Sequence, residues 1–148
     1  MKVELIDLKK RYEEEREDLL NIFDNVLKNG SLVLTDEVKN FENNITNYTG
    51  AKYCVGLNSG TDALMMSLWS LGITKGDEVI TSPVSFIASV GAIIHVGAKP
   101  VFVDVKEDLN INEELIENAI TDKTKAIMPV HWSGKICNMD KINKIAKK

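Results

Sequence analysis

The stretch Asn58-Ser59-Gly60-Thr61-Asp62-Ala63-Leu64 falls between an extended apolar run and a helical one. In a parallel α/β sheet that is where ligands bind, at the carboxyl end of a strand. Gly60 lets a ligand approach the backbone closely. The Thr61 and Asp62 amides belong to a first helical turn, where no intrahelical acceptor exists. They point along the positive end of the helix dipole, and the Thr61 hydroxyl adds a donor, so the segment can receive an anion such as a phosphate. Equally, Ser59 or Thr61 can simply cap the helix. The stretch is neither GxGxxG nor a P-loop, because no Lys-Ser/Thr follows the glycine. Two further segments reach the same sheet edge. Thr81-Ser82-Pro83-Val84-Ser85-Phe86 brings an aromatic ring that can either stack on a flat cofactor or fill the core. Pro129-Val130-His131-Trp132-Ser133-Gly134 brings an imidazole, which is either pocket-facing or a satisfied interior histidine.

The elements that position these residues follow from apolar periodicity. Residues 7–29 read as a helix with Leu8, Tyr12, Leu19, Ile22, Phe23 and Val26 at helical spacing. Lys9, Lys10 and Arg11 stand four residues before Glu13, Glu14 and Glu15, a solvated charged face. Asn29-Gly30 stops this helix. A second helix follows Thr35 as N-cap, with Val38, Phe41, Ile45 and Tyr48 on one side and Gly50 as its end. Beyond residue 51 short strands and helices alternate. Strands are predicted at 53–57, 78–81, 100–105 and 125–130, and helices at 61–71, 85–96, 112–120 and 138–148. Strands recur about every 24 residues with a helix between each pair, the pattern of βαβ units and a parallel sheet. Their near-continuous apolar runs suit a sheet covered on both faces.

The 148 residues are 44% hydrophobic and 27% charged, with a formal net charge of −4. That composition excludes a disordered chain and a disulfide-stapled mini-protein, and the acidic balance argues against nucleic-acid binding. The N-terminus reads as neither a signal nor a transit peptide. The apolar run from Phe86 to Val96 is far short of the roughly 20 residues that cross a membrane, and reads as a buried helix. Cys54 and Cys137 lack metal spacing and read as reduced thiols of a cytoplasmic protein. His95 and His131 have no nearby Cys or His, which makes zinc improbable.

Several stretches, taken in order, carry a resemblance. They are Ile6-Asp7-Leu8-Lys9, Phe41-Glu42, Tyr48-Thr49-Gly50, Asn58 through Leu64, and Leu71-Gly72-Ile73. Gly76-Asp77-Glu78-Val79-Ile80, Gly97 through Val105, and Thr124 through His131 follow. Over nearly its whole length the chain resembles the DegT/StrS family of pyridoxal-phosphate-dependent sugar aminotransferases. The resemblance implies an aspartate-aminotransferase-type α/β fold (fold type I). Its large domain is a three-layer α/β/α sandwich with a mostly parallel sheet, here truncated, and it precedes a smaller C-terminal domain. Residues 1–50 would form an N-terminal helical segment and 51–148 the first βαβ units of the cofactor-binding domain.

The resemblance also implies roles. Thr61 and Asp62 would hold the phosphate of pyridoxal 5′-phosphate with Gly60 permitting its approach, Phe86 would stack on its ring, and Pro129-Val130-His131 would end a strand near it. Thr35 stands where the family often has glycine. The implied reaction moves an amino group from an amino acid, usually glutamate, to a nucleotide-linked keto-sugar in a homodimer, with no nucleic acid or membrane involved. The aspartate that pairs with the pyridine nitrogen and the Schiff-base lysine would lie beyond Lys148. Neither Lys135 nor Lys141 matches that lysine, so no catalytic residue is expected within this stretch. The isolated chain is accordingly expected to be inactive, and poorly soluble or oligomeric. Two alternatives remain at this stage: a cofactor-dependent sugar dehydratase of the same family, and a non-catalytic piece that folds against a second chain.

Overall fold

The computed structural model describes residues 5–30 and 32–148. The chain divides into two compact units, one reaching to Gly56 and the other running Leu57–Lys148.

In the first unit, helix α1 (Leu8–Lys28) starts where the Asp7 carboxylate accepts the Lys10 amide at 2.9 Å. This satisfies a donor that the helix itself cannot. The predicted charged face is present as Lys9–Glu13, Lys10–Glu14 and Arg11–Glu15 pairs. The apolar stripe is uncovered instead of packed: Leu8, Tyr12, Leu19, Ile22 and Phe23 are all exposed. Helix α2 (Asp36–Thr49) follows Thr35, whose hydroxyl makes no capping bond. The acids Asp36 and Glu37 in its first turn complement the helix dipole instead. Gly50 ends the helix in the left-handed region at φ 72°, its amide donating to Thr46 O. A side chain is strained there, and glycine is not.

The strand predicted at 53–57 does not form. Tyr53 and Val55 are exposed, and the Gly56 amide donates to Glu42 Oε1 at 2.7 Å rather than to a neighbouring strand. An extended segment becomes a strand only when a partner supplies the ladder. No partner lies beside it among the described residues.

The second unit is a three-layer sandwich. It contains α3 (Gly60–Ser70), β1 (Glu78–Thr81), α4 (Ile87–His95), β2 (Lys99–Phe102), α5 (Ile116–Ala119), β3 (Thr124–Met128) and α6 (Met139–Ala146). The three strands are parallel in the order β2-β1-β3, and Thr81 pairs with Phe102 on one side and Met128 on the other. Alternation along the strands assigns the faces. Val79, Ala126 and Met128 pack with Leu68, Ala92 and Ile93 of α3 and α4. Ile80, Val101 and Ile127 pack with Ile116 of α5 and Ile142 and Ile145 of α6. The doubly covered sheet expected from the apolar strands is therefore present.

Two predicted elements are shorter in the structure. The helix predicted from Asn112 to Ile120 is only Ile116–Ala119. The Asn112 carboxamide accepts the Glu114 amide at 3.1 Å and its carbonyl accepts the Leu115 amide, so the chain turns before it winds. Val103 still donates its amide to Thr81 O of β1, and residues 104–105, predicted as strand, leave the sheet for a small hairpin. Val105 bridges Ile111 antiparallel, and the Lys106 amide donates to Asn110 O. At the amino end of the sheet the buried Glu78 accepts the Thr121 hydroxyl at 2.7 Å and pairs with Lys99 at 3.0 Å. The Thr121 and Lys99 bonds hold its carboxyl below the usual range.

Candidate functional site

The carboxyl edge of the sheet collects the predicted residues. Ser59 caps α3 by accepting the Asp62 amide at 3.1 Å, and its hydroxyl donates to Asp62 Oδ2 at 2.8 Å. The capping function thus belongs to Ser59, and it occupies both the amide and the carboxylate of Asp62. What remains for an anion is the pair of Gly60 and Thr61 amides, which precede the first intrahelical bond, and the exposed Thr61 hydroxyl. The space over Gly60 is open, since a Cβ there would meet no atom within 4 Å. This donor set suits a phosphate in charge and in hydrogen-bond sense.

Phe86 lies at the start of the next helix. Its ring is 75% exposed, so it is not a core residue. It is the residue before Ile87, with extended backbone (φ −75°, ψ 148°), and α4 begins two residues later than predicted. The packing of α3 on α4 sets its level. Trp69 and His95, in the last turns of the two helices, meet edge to face with ring centroids 6.2 Å apart. Gly97, just past α4, sits against Lys75, just past α3; a Cβ there would lie 3.3 Å from the Lys75 nitrogen. The helices therefore run side by side with their C-termini together. Counting back at about 1.5 Å per residue, Thr61 and Phe86 each stand roughly 12–14 Å from that contact, at the same end. The fold brings the Gly60–Thr61 turn and the exposed ring to one edge.

The third segment follows β3. His131 is exposed, which overturns the interior reading. Its Nδ1 accepts the Cys137 amide at 3.2 Å, so the neutral ring carries its proton on Nε2. Trp132–Gly134 form a short 3-10 turn with Ser133 at φ 50° and Gly134 at φ 83°. The residue that organises this turn was not singled out in the sequence. Asn110 is 1% exposed; its Oδ1 accepts the Trp132 amide at 2.9 Å and its Nδ2 donates to Lys135 O at 3.0 Å. Only a contact 22 to 25 residues distant reveals it, and no local motif announces one.

A groove of about 200 Å3 lies elsewhere, lined by Ile120, Thr124, Ile127, Ile145 and Lys148. Thr124 begins β3 and Ile120 lies in the turn before it, so the groove is at the amino end of the sheet and is not part of the carboxyl-edge site. Cys137 is a buried free thiol whose titration is pushed up by desolvation, and Cys54 is free and half-buried. Among the described residues no group of His, Cys, Asp and Glu is placed to hold a metal. No described helix is long and apolar enough to cross a membrane.

Residues 13–148 match the DegT/DnrJ/EryC1/StrS aminotransferase family. The chain belongs to that family. It is 39% identical over 147 residues to the UDP-2-acetamido-2-deoxy-3-oxo-D-glucuronate aminotransferase of Pseudomonas aeruginosa, covering 99% of this chain and 41% of that protein. Its fold superposes on DesV from S. venezuelae with a TM-score of 0.94 at 40% identity, covering 98% of this chain and 39% of that one. It also superposes on NtdA from Bacillus subtilis, solved with bound PMP, with a TM-score of 0.89 at 38% identity, covering 90% of this chain and 31% of that one. This family-member chain spans about two fifths of the length of the curated relatives it matches. The fold is that of a fold type I α/β domain, in part, and pyridoxal phosphate is the family's cofactor.

Proposed function

We propose that this chain is the cofactor-anchoring N-terminal part of a nucleotide-sugar aminotransferase. The observation that carries the reading is the joint placement of the Gly60–Thr61 turn and the exposed Phe86 ring at one end of the α3–α4 pair. The Gly60 and Thr61 amides and the Thr61 hydroxyl bind the phosphate. Asp62 contributes by locking Ser59 and hence the shape of the turn, and Phe86 covers a face of the ring and excludes water from it. When bound, pyridoxal phosphate supplies an electron sink for amino-group transfer. The Pseudomonas aeruginosa relative acts on a UDP-linked oxo-sugar, which supports a nucleotide-linked keto-sugar as acceptor. We assign an amino acid, glutamate by the family resemblance, as donor. The exposed apolar side chains of α1 support pairing of two copies, and a cytoplasmic setting suits the nucleotide-sugar substrate.

The test is equilibrium binding of pyridoxal 5′-phosphate and of pyridoxal, which lacks the phosphate, to the 148-residue chain. Phosphate bonds at a helix N-terminus predict at least about tenfold tighter binding of the phosphorylated form, equivalent to roughly 1.4 kcal/mol. Replacing Thr61 with Val, which removes the hydroxyl and keeps both amides, is expected to reduce that difference in part. Equal affinity for the two compounds would reject the assignment.

A further inference from the structure

Strands β2 and β3 do not touch, because β1 lies between them. The segments that leave their carboxyl ends nevertheless meet. After β2 comes a hairpin closed by the Lys106 amide on Asn110 O at 2.9 Å and the Asn112 amide on Asp104 O at 2.8 Å. After β3 comes the loop that ends at Asn138, the N-cap of α6. Side chains of the hairpin reach across to the loop. Asn110, 1% exposed, accepts the Trp132 amide at 2.9 Å and donates to Lys135 O at 3.0 Å. Asp108 pairs with the Lys135 ammonium at 2.9 Å. One oxygen of the buried Glu113 carboxylate accepts both the Lys106 ammonium at 3.1 Å and the Asn138 carboxamide at 3.2 Å. Asn138 in turn accepts the Lys141 amide at 3.2 Å. Beneath these bonds Val103, Ile111 and Cys137 share one floor with Ile80 of β1.

Backbone strain stands on both sides of Asn110. Leu109, immediately before it, is held at φ 65°, and Ser133, immediately after its partner Trp132, at φ 50°. In residues other than glycine such conformations are sparsely populated and persist only where the surroundings over-determine them. Ser133 is exposed and Leu109 is 40% exposed, so neither turn is fixed by burying its strained residue. The contacts of one buried carboxamide hold both, and losing them lets both relax. The joining bonds are polar, and each is exchanged for bonds to water at small net cost. The sheet below is held by apolar burial on two faces. Regions joined in the first way open before regions joined in the second.

We infer that the 104–112 hairpin and the 131–138 loop are one clasp, pinned by Asn110, which opens and closes as a unit while the sheet stays folded and uncovers the Cys137 thiol when open. The clasp ties the end of β3 to a strand that β3 does not touch, so a displacement of either segment moves both. It does not depend on the identity of any ligand.

The experiment uses the 148-residue chain with Cys54→Ser, which leaves Cys137 as its one thiol. An aromatic disulfide reagent reports opening, since the Cys137 thiolate forms a mixed disulfide and displaces one coloured aryl thiolate. Below the unfolding transition the labelling rate should depend only weakly on urea, because a local opening exposes little surface. Asn110→Ala removes two hydrogen bonds, which predicts roughly five- to hundredfold faster labelling. Amide hydrogen exchange should then quicken together at Lys106 and Asn112 of the hairpin and at Trp132 and Cys137 of the loop. The amides of β1, paired on both sides, should keep their parent rates. Glu113→Gln keeps an acceptor for Asn138 and loses the charge facing Lys106. It should quicken both segments too, and it decides the matter if Asn110→Ala does not fold. Labelling of the parent chain with the full urea dependence of global unfolding would overturn the clasp. So would loop amides that quicken in the variant while those of the hairpin do not.

Discussion

Replacing Phe86 with alanine separates its two readings by their magnitudes. Fully burying a phenylalanine stabilises a protein by about 1.5–3 kcal/mol. The Phe86 ring is 75% exposed, so only about a quarter of that burial is realised, roughly 0.4–0.8 kcal/mol. The residue precedes α4 without a side-chain capping bond, so the substitution removes no cap. Fold stability should therefore drop by less than about 1 kcal/mol, far below the 3–5 kcal/mol of a core Phe→Ala change. A ring stacked on a flat ligand contributes about 0.5–1.5 kcal/mol beyond area burial, which converts to roughly a two- to twelvefold loss of pyridoxal phosphate affinity. Urea unfolding measures the first quantity and a spectroscopic titration with the cofactor the second. Phe86→Tyr should keep both near the parent values. A stability loss above about 2 kcal/mol with unchanged cofactor affinity would refute the reasoning, because the ring would then be packing in the core.

Ser59→Ala removes the α3 cap and should cost about 1 kcal/mol in urea unfolding; Ser59→Gly should cost only a few tenths. Lys106, and with it the Asn138 carboxamide, holds the Glu113 carboxyl below the usual carboxylate range. A lowered folded-state value gives stability that is complete above the unfolded value of about 4.3 and is lost as pH falls through the folded one. Unfolding midpoints should thus decline from about pH 5 downward, and Glu113→Gln should flatten that acid limb; an unchanged slope would discount the pair. Exposed Leu19, Ile22 and Phe23 on α1 predict self-association of the chain by sedimentation velocity, and Phe23→Glu should shift it toward monomer. A monodisperse parent chain at high concentration would count against that.

The amino-acid sequence was sufficient wherever one segment carries its own reason for its structure. Short, near-continuous apolar strands separated by helices specified a parallel sheet covered on both faces, because such strands must bury both of their faces. The salt-bridged face of α1 and the stop at Gly50 are local chemistry, and each is present. So is the turn at Ser59–Asp62, whose amides without intrahelical acceptors follow from any helix start. The tertiary structure decided the rest. The segment at 53–57 has strand composition yet no strand, since a ladder needs a neighbour that its own residues cannot supply. The helix from Asn112 lost its first turn to a side chain that competes for backbone amides. For Phe86 and His131 the sequence favours a core reading, and packing leaves both exposed instead. Asn110 carries no motif at all. Its meaning lies in two bonds to a turn more than 20 residues away, and composition and periodicity do not encode such a contact.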